Sequence, residues 1–229
     1  MADLVLSSGF LAFARHVGVL RAVQANGLAV DAVCGTSSGA LVGALWASGM
    51  PLDALQADLA GRTPLQLLRP HWPPWRGVFS MQPLLEHLRT LLPPTFAELP
   101  VPLAVGVIDA QGQHKLLTSG PLAEAVVASC AMPHIFAAQR IAGTVYADGG
   151  AADRLALQAW RDWRPGRTAI AHQVARTAGV DVPADLGGVT LITTPRSGAK
   201  LWSLGDFGGQ VTEAERLALA ALAATRSQP

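Results

Sequence analysis

The sequence predicts an α/β fold, a three-layer α/β/α sandwich around a central, mostly parallel sheet. Three observations carry this prediction. The first fifty residues alternate strand, helix, strand, helix. The second strand enters its helix through the tight turn Gly35-Thr36-Ser37-Ser38-Gly39. And 229 residues, 50% of them hydrophobic and 14% charged, are enough to fill one large core. Two domains would be cramped in this length, so a single domain over residues 1–229 is expected.

Leu4 to Leu6 is a short apolar run that ends in Ser7-Ser8-Gly9. A helical pattern through His16, Val19, Leu20 and Val23 follows and stops near Gly27. Leu28 to Cys34 has the pattern of a second buried strand, and Ala40 to Ser48 that of a helix of small and apolar residues closed by Gly49. Between Pro51 and Leu99 the pattern is helical but interrupted. Arg69-Pro70-His71-Trp72-Pro73-Pro74-Trp75 cannot continue any helix, which makes residues 51–99 a candidate cap or lid. Val101 to Ile108 and His114 to Leu117 predict a strand pair, Leu122 to Cys130 a helix, and Val145 to Ala147 a strand leading into Asp148-Gly149-Gly150. Val189 to Thr193 predicts a late strand and Thr212 to Ala224 a closing amphipathic helix.

Composition narrows the function. Seventeen basic against sixteen acidic residues leave a formal charge of +1, which gives no global field to attract nucleic acid or an anionic membrane. Cys34 and Cys130 lie in apolar segments without metal-ligand spacing and are expected to be buried free thiols. No HExxH, Cys/His cluster or calcium loop occurs, so neither metal nor cofactor is expected. The N-terminus has no basic leader, and no run reaches the roughly 18 apolar residues of a membrane span. The expected location is therefore cytoplasmic, with peripheral membrane contact left open.

Chemistry concentrates in two motifs. Gly35-Thr36-Ser37-Ser38-Gly39 is a G-x-S-x-G between a β-branched strand and a small-residue helix, where a nucleophile elbow exposes a serine hydroxyl beside the free N–H groups of a helix N-terminus. A glycine turn with serine caps is the rival explanation, and Ser38 would suit it. A serine hydroxyl needs a proton acceptor. Asp148 follows a strand and precedes Gly149 and Gly150, which would hold a carboxylate at the sheet's edge, although Asp-Gly also makes ordinary turns.

Taken together and in this order, the motifs resemble the patatin-like phospholipase family. His16-Val17-Gly18-Val19-Leu20 is similar to the start of the family's first helix, and Gly35 to Leu41 to its elbow. Ala128-Ser129-Cys130-Ala131-Met132-Pro133 resembles the stretch before its second motif, and Asp148-Gly149-Gly150 its Asp-Gly-Gly. The resemblance implies a Ser37–Asp148 dyad without histidine, an acyl-serine intermediate and a lipid or other acyl-ester substrate. It also implies motif glycines at Gly35, Gly39, Gly149 and Gly150, and an oxyanion hole from the backbone of Gly9, Phe10 and Ser38. The chain departs from the family at that hole: a glycine-rich loop with an arginine appears here as Ser7-Ser8-Gly9-Phe10-Leu11-Ala12-Phe13. Phe10 restricts positive φ, Ala12 stands where the arginine is expected, and Arg15 faces elsewhere on the helix. A weak or inactive lipid-binding relative is thus one alternative, and an acyltransferase using the same elbow another, though no histidine and arginine pair stands out for the latter.

The order Ser37, Asp148, His172 matches the α/β-hydrolase triad, but only about 34 residues precede the elbow, too few for that fold's earlier strands. His172 is accordingly assigned to a helix and outside catalysis. His16 is expected to pack or cap, and His134 to border the pocket. Trp72, Trp75, Val78 and Phe79 would suit a lid touching an acyl chain or a membrane interface, or would simply pack a long connection onto the core. The oligomeric state is not legible.

Overall fold

The computed structural model describes residues 1–176 and 185–226. Along the chain run β1 (Ala2–Leu6), α1 (Phe13–Ala25), β2 (Val30–Thr36), α2 (Ser38–Ala47) and α3 (Leu52–Ala60). A two-residue-strand hairpin, β3 (Arg69–Pro70) and β4 (Phe79–Ser80), precedes α4 (Gln82–Leu91). Then come β5 (Leu103–Asp109), β6 (His114–Leu117), α5 (Leu122–Ser129), β7 (Gln139–Ile141), β8 (Thr144–Asp148), α6 (Leu157–Trp163), β9 (Ala169–Val174), β10 (Val189–Thr194) and α7 (Phe207–Arg226).

The sheet runs β10-β9-β1-β2-β5-β8-β7, with β6 also on β5; β10 through β5 are parallel, while β6, β7 and β8 pair antiparallel. Its strands carry apolar residues on both faces, as a sheet covered by helices on both sides requires. Leu4, Leu6, Val33, Leu103, Val105 and Ile170 pack into one core, against Val17, Leu20, Leu41 and Leu45. The alternate residues Val5, Cys34, Ala104, Ala169 and Ala171 pack into a second, under Trp160 of α6. Trp160 donates its indole N–H to the fully buried Asp3 at 3.0 Å, and Arg164 pairs with the same carboxylate at 3.1 Å.

His172 lies on β9, a buried strand beside β1, and not on a helix. Its segment Ala169-Ile170-Ala171-His172-Gln173-Val174 is alanine-rich and lacks the β-branched run that marks the other strands, so tertiary pairing decides its conformation. The hairpin β7–β8 and the seven-residue α6 are likewise carried by tertiary contacts more than by pattern.

One feature of the topology builds the site. β6 takes one edge of β5 over Val105–Ile108, so β2, paired over Leu103–Gly106, and β8, paired over Val107–Asp109, must share the other edge. They run toward each other along it, and Thr36 opposite Gly106 meets Asp148 opposite Val107. Ser37 and Asp148 therefore emerge where two strand ends abut.

Candidate active site

At the end of β2 the backbone of Ser37 takes φ 54° and ψ −120°, a conformation a non-glycine residue holds only at a cost of about 1–3 kcal/mol. Surrounding contacts impose it. The Ser37 N–H donates to Ser129 Oγ at 2.8 Å, and Ser129 Oγ donates to the Gly106 carbonyl at 2.6 Å. On the far side, α2 presses against β1: a Cβ on Gly39 would stand 2.3 Å from the Leu6 carbonyl oxygen, so only glycine fits. Ser129 is fully buried and belongs to the small-residue stretch singled out in the sequence, but its role as the elbow's anchor was not legible there. Replacing it with alanine is expected to leave the Ser37 N–H unpaired and to lower kcat about 10- to 100-fold with little change in KM, measured on a soluble ester.

Asp148 is 4% exposed. A Cβ on Gly149 would stand 2.6 Å from the Gly106 backbone, which is how β8 comes so close to the end of β2. Its Oδ1 accepts from the Gly150 N–H at 2.8 Å, which fixes the carboxyl at the turn Gly149–Ala151. Burial raises the Asp148 pKa to about 6, while the neighbouring Ser37 hydroxyl and the Gly150 N–H pull the other way. Near neutral pH the group is mostly ionised yet far more basic than an ordinary carboxylate, as a general base requires.

The loop from Ser7 to Ala12 lies beside these two residues. Ser7 N–H donates to the His172 carbonyl at 2.9 Å and Ser8 N–H to the Arg154 carbonyl at 2.7 Å. The backbone N–H groups of Gly9, Phe10 and Ser38 find no acceptor among the described residues. Gly9, Phe10, Ser37, Asp148 and Gly150 line one pocket. Positive φ falls on Leu11 (51°), not on Phe10, so the phenyl group strains nothing and stands 47% exposed. Arg15 turns away, as expected, to pair with Glu213 at 2.5 Å. An arginine from elsewhere braces the loop: Arg154 Nη2 donates to the carbonyls of Ser8 and Val174, both at 2.9 Å. No sequence signal marks Arg154, because its partners lie 146 and 20 residues away.

Two buried histidines sit behind the elbow. His16 Nε2 shares a hydrogen bond with Ser38 Oγ at 3.2 Å, His16 and His172 meet through their Nδ1 atoms at 2.8 Å, and His172 Nε2 meets Thr194 Oγ1 at 2.8 Å. Burial drives His16 down to about 3, against a backbone contact with Ser7, and burial followed by the His16 and Arg15 charges drives His172 well below its ordinary value. Both are neutral structural groups; His16 touches Ser38, and His172 stands behind it on His16 and Thr194. His134 is exposed and absent from the lining of both pockets at the serine. Cys34 and Cys130 are free, with burial pushing the Cys34 thiol to about 12 and the Cys130 thiol upward too.

From Ser37 an apolar cleft runs along α2, lined by Leu41, Leu45, Leu59, Leu84, Leu88 and Met132 among others. Residues 51–99 supply its outer wall through α3, the turn Pro64–Leu67 and α4. Asp58, Arg62 and His87 also border it; Asp58 bonds His87 at 2.9 Å and Arg62 at 3.2 Å.

Known proteins bear on this geometry at two levels. At the level of fold, the crystal structure of VipD from Legionella pneumophila matches 97% of the chain and 67% of its own with a TM-score of 0.64 at 16% identity. That of the type III effector protein ExoU matches 99% of the chain and 53% of its own with a TM-score of 0.60 at 14% identity. At the level of sequence, an uncharacterized NTE family protein of Mycobacterium tuberculosis is 33% identical over 159 residues, 67% of this chain, and the match spans 44% of that relative's length. The neuropathy target esterase sws of Drosophila melanogaster is 53% identical over 45 residues, 20% of this chain and 3% of its own length. A model of the patatin-like phospholipase family matches residues 4–159, which include the elbow, Ser129, Asp148 and Arg154. The chain belongs to the patatin-like phospholipase family.

Proposed function

We propose that this chain is a serine acyl hydrolase that cleaves ester bonds of lipids, phospholipid or lysophospholipid, through a Ser37–Asp148 dyad. The observation that carries this reading is a buried carboxyl of raised basicity facing the same pocket as a serine on a strained elbow, at the head of an apolar cleft. Ser37 Oγ attacks the ester carbonyl while its proton passes to Asp148, and the oxyanion forms against the N–H groups of Gly9, Phe10 and Ser38. Collapse expels the alcohol, which takes the proton from Asp148. Water then gives up a proton to Asp148 and attacks the acyl-serine, and the fatty acid leaves as Ser37 recovers its hydrogen. The acyl chain lies in the apolar cleft under the cap formed by residues 51–99, which makes the whole chain one functional domain.

The acid limb of kcat/KM for a short p-nitrophenyl ester tests the assignment. It should follow a single ionisation near 6, the value burial gives Asp148. A profile with no break between pH 5 and 8, or one retained in Ser37→Ala, would remove the dyad.

A further inference from the structure

Three exposed tryptophans sit on segments joined to residues that line the cleft. Trp72 is 81% exposed, Trp75 75% and Trp202 67%, with Val78 at 48% and Leu65 at 44% beside them. Aromatic rings of this size bury about 150–250 Å² each when covered, so leaving three in water is a large unfavourable exposure in a chain with two ample cores.

Their placement is tied to the cleft by backbone. Phe79 N–H donates to the Ile135 carbonyl at 3.0 Å and Ala137 N–H to the Phe79 carbonyl at 2.8 Å. This stitches the β3–β4 hairpin to the segment holding the cleft residues Met132 and Phe136. At its tip, Trp72 and Trp75 stack edge-on with centroids 6.0 Å apart. Across the mouth, Leu65 N–H donates to the Leu201 carbonyl at 2.8 Å, which places Trp202 between the cleft residues Leu201 and Leu204.

Charge identifies the occupant. From Leu59 to Leu85 the chain carries Arg62, Arg69 and Arg76 and no acidic residue. Arg69 and Arg76 are exposed and flank the tryptophan pair. Lys200 Nζ lies 5.8 Å from the Trp202 ring centroid, and Lys200 and Arg196 line a neighbouring cleft that also includes Phe10 and, among the described residues, no carboxylate. Asp206, four residues after Trp202 in the chain, is turned to the start of α7, where it accepts from the Gly209 N–H at 2.8 Å. A rim of indoles with cations interleaved matches the interface of an anionic bilayer, where indole rings settle at headgroup level and arginines meet phosphates.

We infer that Trp72, Trp75 and Trp202, with Arg69 and Arg76, form a docking surface for anionic membranes that seats the cleft mouth on the lipid. The inference rests on the lipid-hydrolase reading for its purpose but not for its test. The Ser37→Ala chain, which consumes no lipid, is sedimented with phosphatidylcholine vesicles and with vesicles also containing phosphatidylglycerol. Binding is expected only or mainly to the anionic vesicles. Trp72→Ala with Trp75→Ala should weaken it about tenfold or more. Arg69→Gln with Arg76→Gln should remove about fivefold per charge and most of the anionic preference. Unchanged thermal midpoints establish that the variants are folded. The inference is overturned if the parent sediments with neither vesicle, or if the tryptophan variant binds like the parent. It is equally overturned if the chain is dimeric in solution and the tryptophan variant monomeric, since a second copy would then cover this face. Vesicle binding without soluble-ester hydrolysis by the wild-type chain would leave docking standing and remove the catalytic reading.

Discussion

Asp148→Asn is expected to lower kcat/KM about 10³-fold and, at pH 8, to make the protein more stable by about 2–3 kcal/mol. The two effects share one cause. Burial raises the carboxyl from 3.8 to about 6 in the folded chain, so its ionisation above pH 6 works against folding by about 3 kcal/mol. A group whose folded pKa is raised stabilises the fold fully only below the unfolded value, and that contribution is lost as pH rises through 6. Asparagine keeps the shape and the acceptor for the Gly150 N–H but carries no charge to desolvate. Urea unfolding at pH 8 and at pH 3.5, alongside ester hydrolysis, separates the parts: the stability gain should be present at the first pH and absent at the second. Destabilisation at pH 8 would mean that the buried carboxylate is compensated by contacts other than those described.

Acid should unfold the protein earlier than its carboxylates alone would dictate. His16 and His172 are neutral in the fold, with His16 held near 3 and His172 also far below the ordinary 6.5, whereas both protonate near 6.5 once unfolded. The unfolded chain therefore binds two more protons as pH falls below 6.5, and each takes about 1.4 kcal/mol of stability per pH unit. Asp148 works in the opposite direction between 6 and 3.8, because there the folded chain holds the extra proton. The net expectation is a loss of stability between pH 6.5 and 4.5, since two histidines that stay neutral in the fold outweigh one carboxyl. In Asp148→Asn the offset disappears and the loss over the same range should be larger by about 2 kcal/mol. Urea midpoints across pH 4 to 8 measure both slopes, and equal slopes in the two proteins would contradict the assignment of Asp148's raised pKa.

What the sequence made legible was local. Gly35 to Gly39 announced a strand-to-helix turn because glycines, serines and a small-residue helix are adjacent in the chain, and Asp148 announced itself through the two glycines that follow. The first four elements, the pair around Ala110 to Gln113 and the closing helix follow from periodicity alone, and the structure places them within a few residues. The missing pieces depend on distance. Ser129 anchors the elbow across 92 residues, which only the shared edge of β5 brings about. Arg154 braces the loop that Ala12 leaves without its expected arginine. His172 was misassigned because a strand flanked by β1 and β10 needs no β-branched signal of its own; its neighbours supply the ladder. The altered loop keeps the backbone N–H groups of Gly9 and Phe10 without acceptors among the described residues, and it accommodates Phe10 because the positive φ falls on Leu11.

The central claim is that Ser37 is the nucleophile, and intact-mass analysis after treatment with a fluorophosphonate tests it most directly. A single adduct mapping to Ser37, absent in Ser37→Ala and formed far more slowly in Asp148→Asn, is the predicted result. No adduct on the wild-type chain, or one that maps to Ser38 or Ser129 and persists in Ser37→Ala, would contradict it.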